Sequence, residues 1–266
     1  MATRADVEEF AQANRDIRAL LLLALADWWR SVNVADPKAA AAQAVGVLPE
    51  LVAAYGELAA SVAADFYDRL RVESGAPGRY TAAMADPPPV EAVEANARWA
   101  VGPLFHRTEP VYRYDELTGE EVPAGQRDIP PDPPAALARL EQVADAAVQQ
   151  QGRDTIDLNT GRDPADARWA RVPTGESTCA FCLALASRGA VYRSAVTAGD
   201  KEKGGKEFHA RDDCQAIPMW PGDDYPEGYD PDAMYQQYLD ARKAAGTGEW
   251  KPILAKLREL NPNITH

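Results

Sequence analysis

The sequence is short of basic charge. Against 41 aspartates and glutamates it has 28 lysines and arginines, which gives a formal net charge of −13 at pH 7. Proteins that bind nucleic acid usually present a basic domain or stripe that displaces counterions from phosphate, whereas the acidic residues here are spread along the chain. We therefore expect no strong nucleic-acid binding, and an acidic surface that favours solubility and basic protein partners.

Long apolar runs and abundant cysteine are also missing. The longest apolar run, residues 20–26, is far short of the ~20 residues that span a bilayer. The N-terminus lacks the basic-then-apolar layout of a secretory signal. Three cysteines, an odd number, argue against a disulfide framework. These absences predict a protein that stays in a reducing cytoplasm and does not associate with a membrane.

What the sequence does contain, in its first half, is helical periodicity. Apolar residues recur at three- and four-residue steps on two faces, which predicts two helices. These faces consist of Val7, Phe10, Ala13, Ile17, Leu21, Ala24 and Trp28, and of Leu51, Tyr55, Leu58, Val62, Phe66 and Leu70. Asp36-Pro37 matches an N-cap followed by proline at the first helical position. Three prolines at 87–89 precede a shorter predicted helix at about 90–100.

The periodicity is lost between residues 105 and 134. A hairpin is predicted there, because residues 110–114 and 120–122 flank a Thr-Gly turn. Asp132-Pro133 begins another predicted helix, which we expect to end near Gly152. Residues 154–173 are polar and rich in turn residues, and residues 218–229 have the composition of a loop. Further helices are predicted after Asp230-Pro231 and at 252–260.

All three cysteines lie in one short region, together with a histidine. The spacing is Cys179-x2-Cys182, then 26 residues, then His209-x4-Cys214. A CxxC brings two thiolates to one ion from a single turn, and a distant His/Cys pair can complete a tetrahedron. Because Cys3His is a ligand set of structural zinc, the spacing predicts a zinc site.

Two other interpretations of these residues remain open. Cys179 and Cys182 are also compatible with small apolar positions on a helix at 179–187, with His209 on the surface. A third interpretation is a catalytic thiol activated by His209 and oriented by Asp212 or Asp213. Four ligands engaged with a metal would leave no free nucleophile. A reversible redox pair is disfavoured, since no thioredoxin-like βαβ pattern surrounds the CxxC.

The sequence around the cysteines resembles the Mu F-like minor head proteins of phages that infect actinobacteria. The resemblance is carried by WARVPTGESTCAFCLALASRGAVYRSA and by FHARDDCQAIPMWPG. The matching positions are Val172 to Gly175, Thr178, Cys179, Phe181, Cys182, Leu185 to Gly189, Tyr192, Phe208, His209, Asp213, Cys214 and Pro218, with GYDP at Gly228 to Pro231. The first cysteine of the family's CDC falls at Asp212 here, which leaves Cys179, Cys182, His209 and Cys214 as the metal ligands, with Asp212 as a possible oxygen ligand.

The resemblance implies a low-copy component of the phage head. Proteins of this kind are linked to the portal and to the interior of the procapsid, and in some cases to DNA ejection. Some relatives are described as capsid maturation proteases, a label that nothing in this sequence supports beyond the Cys/His spacing. We therefore expect a non-enzymatic protein that contacts the portal protein, the major capsid protein or both, located inside the virion head and in the host cytoplasm during assembly. The alternatives are a Cys/His maturation protease and a DNA-binding zinc module.

The expected fold is mostly α with a small α+β module. We expect a helical N-terminal region at residues 1–152 that docks on the portal or capsid. A module with the Cys3His zinc site should follow at 153–226, and a helical C-terminal tail at 227–266. Structural zinc would stabilise the small module, since ligation replaces burial and can contribute ~10 kcal/mol or more to folding.

Overall fold

The computed structural model describes residues 1–115, 119–175, 178–192 and 214–264. These residues form a mostly helical protein with a small amount of sheet. The helices are α1 (Arg4–Arg30), α2 (Pro37–Glu73), α3 (Val90–Ala100), α4 (Pro133–Arg162), α5 (Ala180–Ala186), α6 (Pro231–Ala245) and α7 (Trp250–Leu260). The strands are β1 (Arg107–Tyr114), β2 (Glu121–Ile129), β3 (Arg168–Pro173) and β4 (Cys214–Met219). A short 3-10 helix covers Gly102–Leu104.

Several of the predicted elements are confirmed. The carboxylate of Asp36 accepts a hydrogen bond from the Ala39 N–H at 3.1 Å, as expected of the residue that caps α2. The short helix after the three prolines is α3, and the predicted hairpin is the antiparallel pair β1–β2. Asp132 and Asp230 likewise cap α4 and α6 by accepting from the backbone three residues later.

The chain folds into two compact units. Unit 1 comprises Met1–Ala19, Ala54–Pro87 and Val148–His266, and unit 2 comprises Leu20–Ala53 and Pro88–Ala147. Each unit is therefore assembled from segments that are distant in the sequence. The boundary predicted after residue 152 lies inside α4.

The core of unit 1 is rich in aromatic side chains. The rings of Phe10 and Phe66 stack with their centroids 4.2 Å apart, and Tyr67 meets Trp220 edge-on at 5.2 Å. Trp169 and Tyr192 are almost fully buried, and they stack with a centroid distance of 4.6 Å. These contacts surround the small sheet β3–β4, whose strands are buried over most of their length.

The end of α4 differs from the prediction. The helix continues ten residues past Gly152 to Arg162, because Gly152 is a point of close helix packing rather than a terminus. A Cβ atom at Gly152 would lie 3.3 Å from the carbonyl oxygen of Ala59 in α2. Glycine at this position lets the two backbones approach.

The polar residues after Gly152 are buried because they bind main chain. The Asn159 side chain accepts from the Ala83 N–H and donates to the Ala83 carbonyl, both at 2.8 Å. The Thr155 hydroxyl accepts from the Ala85 N–H at 3.0 Å. An extended segment of unit 1 is thereby fixed along α4, so the polar composition that predicted turns belongs to a buried helical surface.

The strands β3 and β4 were not predicted: β3 lies in the stretch expected to be rich in turns, and β4 begins in the cysteine region and ends in the expected loop. They pair antiparallel with Arg168 opposite Met219 and Pro173 opposite Cys214. Almost all of their residues are buried, so the strands lack the alternation of apolar and polar residues that marks a half-exposed strand.

One helix of the described chain, α2, is long and apolar enough to cross a bilayer by length and composition alone. A single helix of this kind is weak evidence for a membrane span, because core helices of other proteins meet the same criterion.

Candidate functional site

Two of the predicted ligands lie in the first turn of α5, in unit 1. Cys179 is the N-cap of this helix, and its sulfur accepts a hydrogen bond from the Cys182 N–H at 3.1 Å. Cys179 is partly exposed and Cys182 is buried. The helix predicted at 179–187 is therefore present, and the CxxC places both sulfur-bearing residues at its N-terminal end.

The other predicted ligands are placed differently. Cys214 is the first residue of β4 and is fully buried. His209 and the possible oxygen ligand Asp212 lie outside the described residues. Within the residues that the structure does describe, no three His, Cys, Asp or Glu side chains are grouped so as to hold a metal ion. The structure thus brings Cys179 and Cys182 together but does not add Cys214 to them as a third ligand.

Tyrosine and serine hydroxyls bind the last carbonyls of α5. The Tyr192 hydroxyl donates to the Leu185 carbonyl at 2.7 Å, and the Tyr229 hydroxyl donates to the Ala186 carbonyl at 2.6 Å. The Ser187 hydroxyl donates to the Ala184 carbonyl at 2.9 Å. The Leu185 and Ala186 carbonyls also accept from the Arg188 N–H at 3.3 Å and the Gly189 N–H at 3.1 Å, so the tyrosine hydroxyls add a second hydrogen bond to carbonyls at the end of the helix.

Burial keeps both of these tyrosines in the donor form. It raises the pKa of Tyr229, and the neighbouring Tyr225 adds to the rise. Burial likewise raises the pKa of Tyr192 above that of an exposed tyrosine. A raised pKa favours the protonated phenol, so both hydroxyls donate throughout the ordinary pH range.

The turn after α5 requires glycine. Gly189 has a φ of +66°, and a Cβ there would collide with the hydroxyl oxygen of Tyr225. That hydroxyl accepts from the Ala190 N–H at 3.2 Å, and a Cβ at Gly189 would also lie 3.7 Å from the Cβ of Pro231. The turn after α5 is therefore in contact with the segment that precedes α6.

A buried carboxylate, Asp163, joins α2, α4 and the end of β4. It accepts from the Arg71 guanidinium at 2.8 and 3.2 Å, from the Trp220 indole N–H at 3.1 Å and from the Tyr67 hydroxyl at 3.1 Å. The Ala165 N–H donates to it at 2.9 Å. Its side chain is 0% exposed.

The electrostatics of this site keep Asp163 ionised. Burial acts to raise the pKa of its carboxyl, but the hydrogen bonds from Arg71, the Ala165 N–H, Trp220 and Tyr67 outweigh burial and hold that pKa below the ordinary value of 3.8. The same contact raises the pKa of Arg71. The negative charge of Asp163 also raises the pKa of Tyr67, in addition to the larger effect of burial.

Sequence reasoning did not identify Asp163. Asp163 is followed by proline, as are the helix-capping residues Asp36, Asp132 and Asp230, so nothing local marks it as a buried carboxylate. The only indication was Trp220, a residue at the edge of the motif whose indole N–H needs a partner when it is buried.

The described motif residues thus have roles inside the fold. Leu185, Ala186 and Ser187 supply the helix end, Gly189 forms the turn, and Tyr192 binds back to the helix. Tyr229 of the GYDP segment and Trp220 tie the same region to Ala186 and Asp163. These hydrogen bonds hold α5 and the small sheet β3–β4 in place.

Comparison with known proteins places these residues in a phage context. The model of a family described as VG15 protein matches residues 1–241. The chain is 32% identical over 140 residues to the Gene 15 protein of Mycobacterium phage D29, covering 42% of this chain and 51% of that protein. It is 29% identical over 244 residues to the Gene 15 protein of Mycobacterium phage L5, covering 76% of this chain and 70% of that protein. This chain thus spans about half the length of the D29 protein. No solved structure matches the chain.

Proposed function

The chain belongs to the VG15 protein family of phage proteins, and from that premise we propose that it is a minor structural component of a tailed-phage head. The proposal includes the finer assignment to the Mu F-like kind. In this role the protein is present in low copy, lies inside the head, and takes part in procapsid assembly or DNA ejection.

The observation that carries this proposal is the use of the motif residues. Tyr192, Tyr229 and Ser187 belong to the segments that resemble minor head proteins. Their hydroxyls donate hydrogen bonds to carbonyls at the C-terminal end of α5. A motif that maintains a fold favours a structural or docking function over a reaction.

The proposed partners are the portal protein, the major capsid protein or both. The net charge of −13 supports a partner with basic patches. The same charge speaks against DNA as the main ligand, although the protein would lie beside it.

Protease protection tests the proposed location. We expect the protein to resist added protease in intact purified heads and to be cleaved once the heads are opened by chelator or heat. A major capsid protein that is equally resistant in both preparations is the control for damage. Cleavage in intact heads would place the protein on the outer surface and contradict the interior location.

We also propose that Cys179, Cys182, His209 and Cys214 bind structural zinc. Sulfur and imidazole are ligands that zinc prefers, and the first turn of α5 presents two of the cysteines together. The described residues, Cys214 among them, do not form a three-ligand group, so binding requires both His209 and Cys214 to approach the two cysteines of α5. When bound, zinc would supply a cross-link between that chain and α5.

Zinc content is predicted to be one ion per chain, and Cys179→Ser should abolish it. Serine is among the best N-cap residues, so this variant removes the thiolate while it keeps an acceptor for the Cys182 N–H. His209→Ala should also lose the metal. His106→Ala, at an exposed position, is the matched control and should retain it. Elemental analysis of the full chain measures all four proteins, and a folded wild-type chain without metal would contradict the zinc site.

A further inference from the structure

An open groove lies between α1 and α2 on the surface of unit 1. It is a cleft of about 300 Å³ lined by Glu9, Phe10, Ala13, Val62, Asp65, Phe66 and Arg69. All of these residues belong to the segments Met1–Ala19 and Ala54–Pro87 of unit 1. We name this cleft the α1–α2 groove.

The floor of the groove is apolar. The stacked rings of Phe10 and Phe66 are held in the core of unit 1 and are 5% and 3% exposed. Ala13 and Val62 above them are only partly buried. Leu58, one helical turn before Val62 on the same side of α2, is 49% exposed. The groove therefore offers apolar surface on a rigid base to another apolar surface.

The residues along the two walls have the spacing that helix packing uses. They follow one another at alternating steps of four and three, which keeps their side chains in one stripe on each helix. They are Leu58, Val62, Asp65 and Arg69 on α2, and Glu9, Ala13 and Asp16 on α1. Two such stripes side by side form the groove into which a further helix packs in coiled coils and helical bundles. The shape of the groove therefore suits a helix.

The walls of the groove are acidic. The Arg69 guanidinium lies 3.1 Å from the Asp6 carboxylate and 3.0 Å from the Glu9 carboxylate, so two acids already outnumber its single charge. Asp16 and Asp65 are both exposed and add two more negative charges. The Glu9 side chain is 70% exposed and remains accessible to a partner. Four carboxylates thus stand against one guanidinium.

The other basic residues of these two helix segments point away from the groove. At about 100° per residue, Arg4, Arg15 and Arg18 lie at least about 140° around α1 from the groove wall. Arg71 of α2 is buried in its ion pair with Asp163. These cations therefore do not offset the acids of the groove, and the groove attracts positive charge.

We propose that the α1–α2 groove binds a basic amphipathic helix of a partner protein. Apolar side chains of that helix cover Leu58 and Val62, while its lysines and arginines pair with carboxylates such as Asp65 and lay their stems on the apolar floor. The Arg69 guanidinium, 5.6 Å from the centre of the Phe66 ring, makes the kind of contact that an arginine of the partner would make. A second copy of this chain is a poorer occupant, because its net charge is −13. This inference does not depend on the proposed location in the head.

Binding of a designed peptide tests the groove. The probe is a labelled peptide of about 18 residues, long enough to be helical, with leucine at heptad positions a and d and lysine elsewhere. The same peptide with glutamate in place of lysine is its counterpart. We expect the full chain to bind the lysine peptide and not the glutamate peptide. Asp16→Lys with Asp65→Lys should weaken binding at least about tenfold, because like charges then face each other. Fluorescence anisotropy at low salt measures this.

A matched control separates the groove from bulk charge. Glu8→Lys with Glu57→Lys makes the same change in net charge on the same two helices, but both exposed positions lie about 140° away from the groove, so binding should be unchanged.

A second variant tests the apolar part of the contact. Leu58→Ser changes no charge and should weaken binding about fivefold, and all variants should keep the thermal midpoint of the wild type. The proposal is overturned if the lysine peptide does not bind, if both charge variants weaken binding equally, or if Leu58→Ser binds as tightly as the wild type. Self-association of the chain alone that Asp16→Lys with Asp65→Lys abolishes would assign the groove to a second copy and would also overturn it.

Discussion

Replacing Asp163 with asparagine is expected to lower the free energy of unfolding by about 3–5 kcal/mol, the usual effect of removing one partner from a buried ion pair. The loss should be this large because the Arg71 guanidinium remains buried without its counter-charge. Its side chain is only 7% exposed, and that of Asp163 is 0% exposed. The amide NH2 of asparagine also replaces one of the two oxygens, so either Trp220 and Tyr67 or the Ala165 N–H loses its acceptor.

Thermal and urea unfolding measure this effect. For a protein of this size about 2–4 °C of midpoint shift accompanies each kcal/mol, so we expect a decrease of about 6–20 °C. Asp65→Asn is the matched control, since Asp65 is exposed on the same helix as Arg71, and its midpoint should change little. Equal midpoints for Asp163→Asn and Asp65→Asn would show that the Asp163 contacts do not stabilise the fold.

The same carboxylate predicts a dependence of stability on pH. Its pKa is lowered in the folded protein relative to the ordinary value of 3.8, so its contribution is fully present above that value. The contribution is lost as the pH falls through the lower, folded-state pKa. The difference in unfolding free energy between wild type and Asp163→Asn should therefore be constant near neutral pH and decrease below about pH 4.

The second large effect is expected at Gly189. Gly189→Ala should destabilise the protein by about 2–3 kcal/mol. A left-handed conformation costs a residue with a Cβ about 1–2 kcal/mol, and a displaced Tyr225 hydroxyl loses a hydrogen bond worth about 1 kcal/mol. The φ of +66° and the contact with Tyr225 are both properties of this one position.

Two further variants separate the causes at Gly189. Tyr225→Ala in the Gly189→Ala background removes the collision but not the backbone strain, so a destabilisation of about 1–2 kcal/mol from φ should remain. Gly248→Ala is the control, because a Cβ there meets nothing within 4 Å. If Gly189→Ala were as stable as Gly248→Ala by urea unfolding, the described turn after α5 would be wrong.

The sequence predicts the helices of the first half well, because their apolar faces repeat with the helical period. The capping aspartates and the hairpin turn are equally local signals. The continuation of α4 could not be predicted in this way. Glycine at 152 and the polar residues Thr155 and Asn159 suggest a helix end followed by a turn, and only packing against α2 and the segment at 83–85 makes them helical.

In the candidate site, too, local features could be predicted from the sequence and long-range contacts could not. The CxxC spacing indicates correctly that Cys179 and Cys182 share one helical turn. The contacts that define the rest of the site join residues far apart in the chain, such as Tyr229 with Ala186 and Asp163 with Arg71. No local pattern encodes such pairs, and β3 and β4 lack alternation because they are buried. The predicted zinc ligands His209 and Asp212 remain predictions.

The central claim, that this chain is a structural part of the phage head, is tested most directly by counting it in particles. Quantitative mass spectrometry of purified procapsids and mature virions gives its copy number relative to the portal protein. We predict an intact chain at a few copies per particle in both. A chain that is present in procapsids but cleaved or absent in mature heads, while other head proteins are trimmed, would contradict this account and favour a maturation protease.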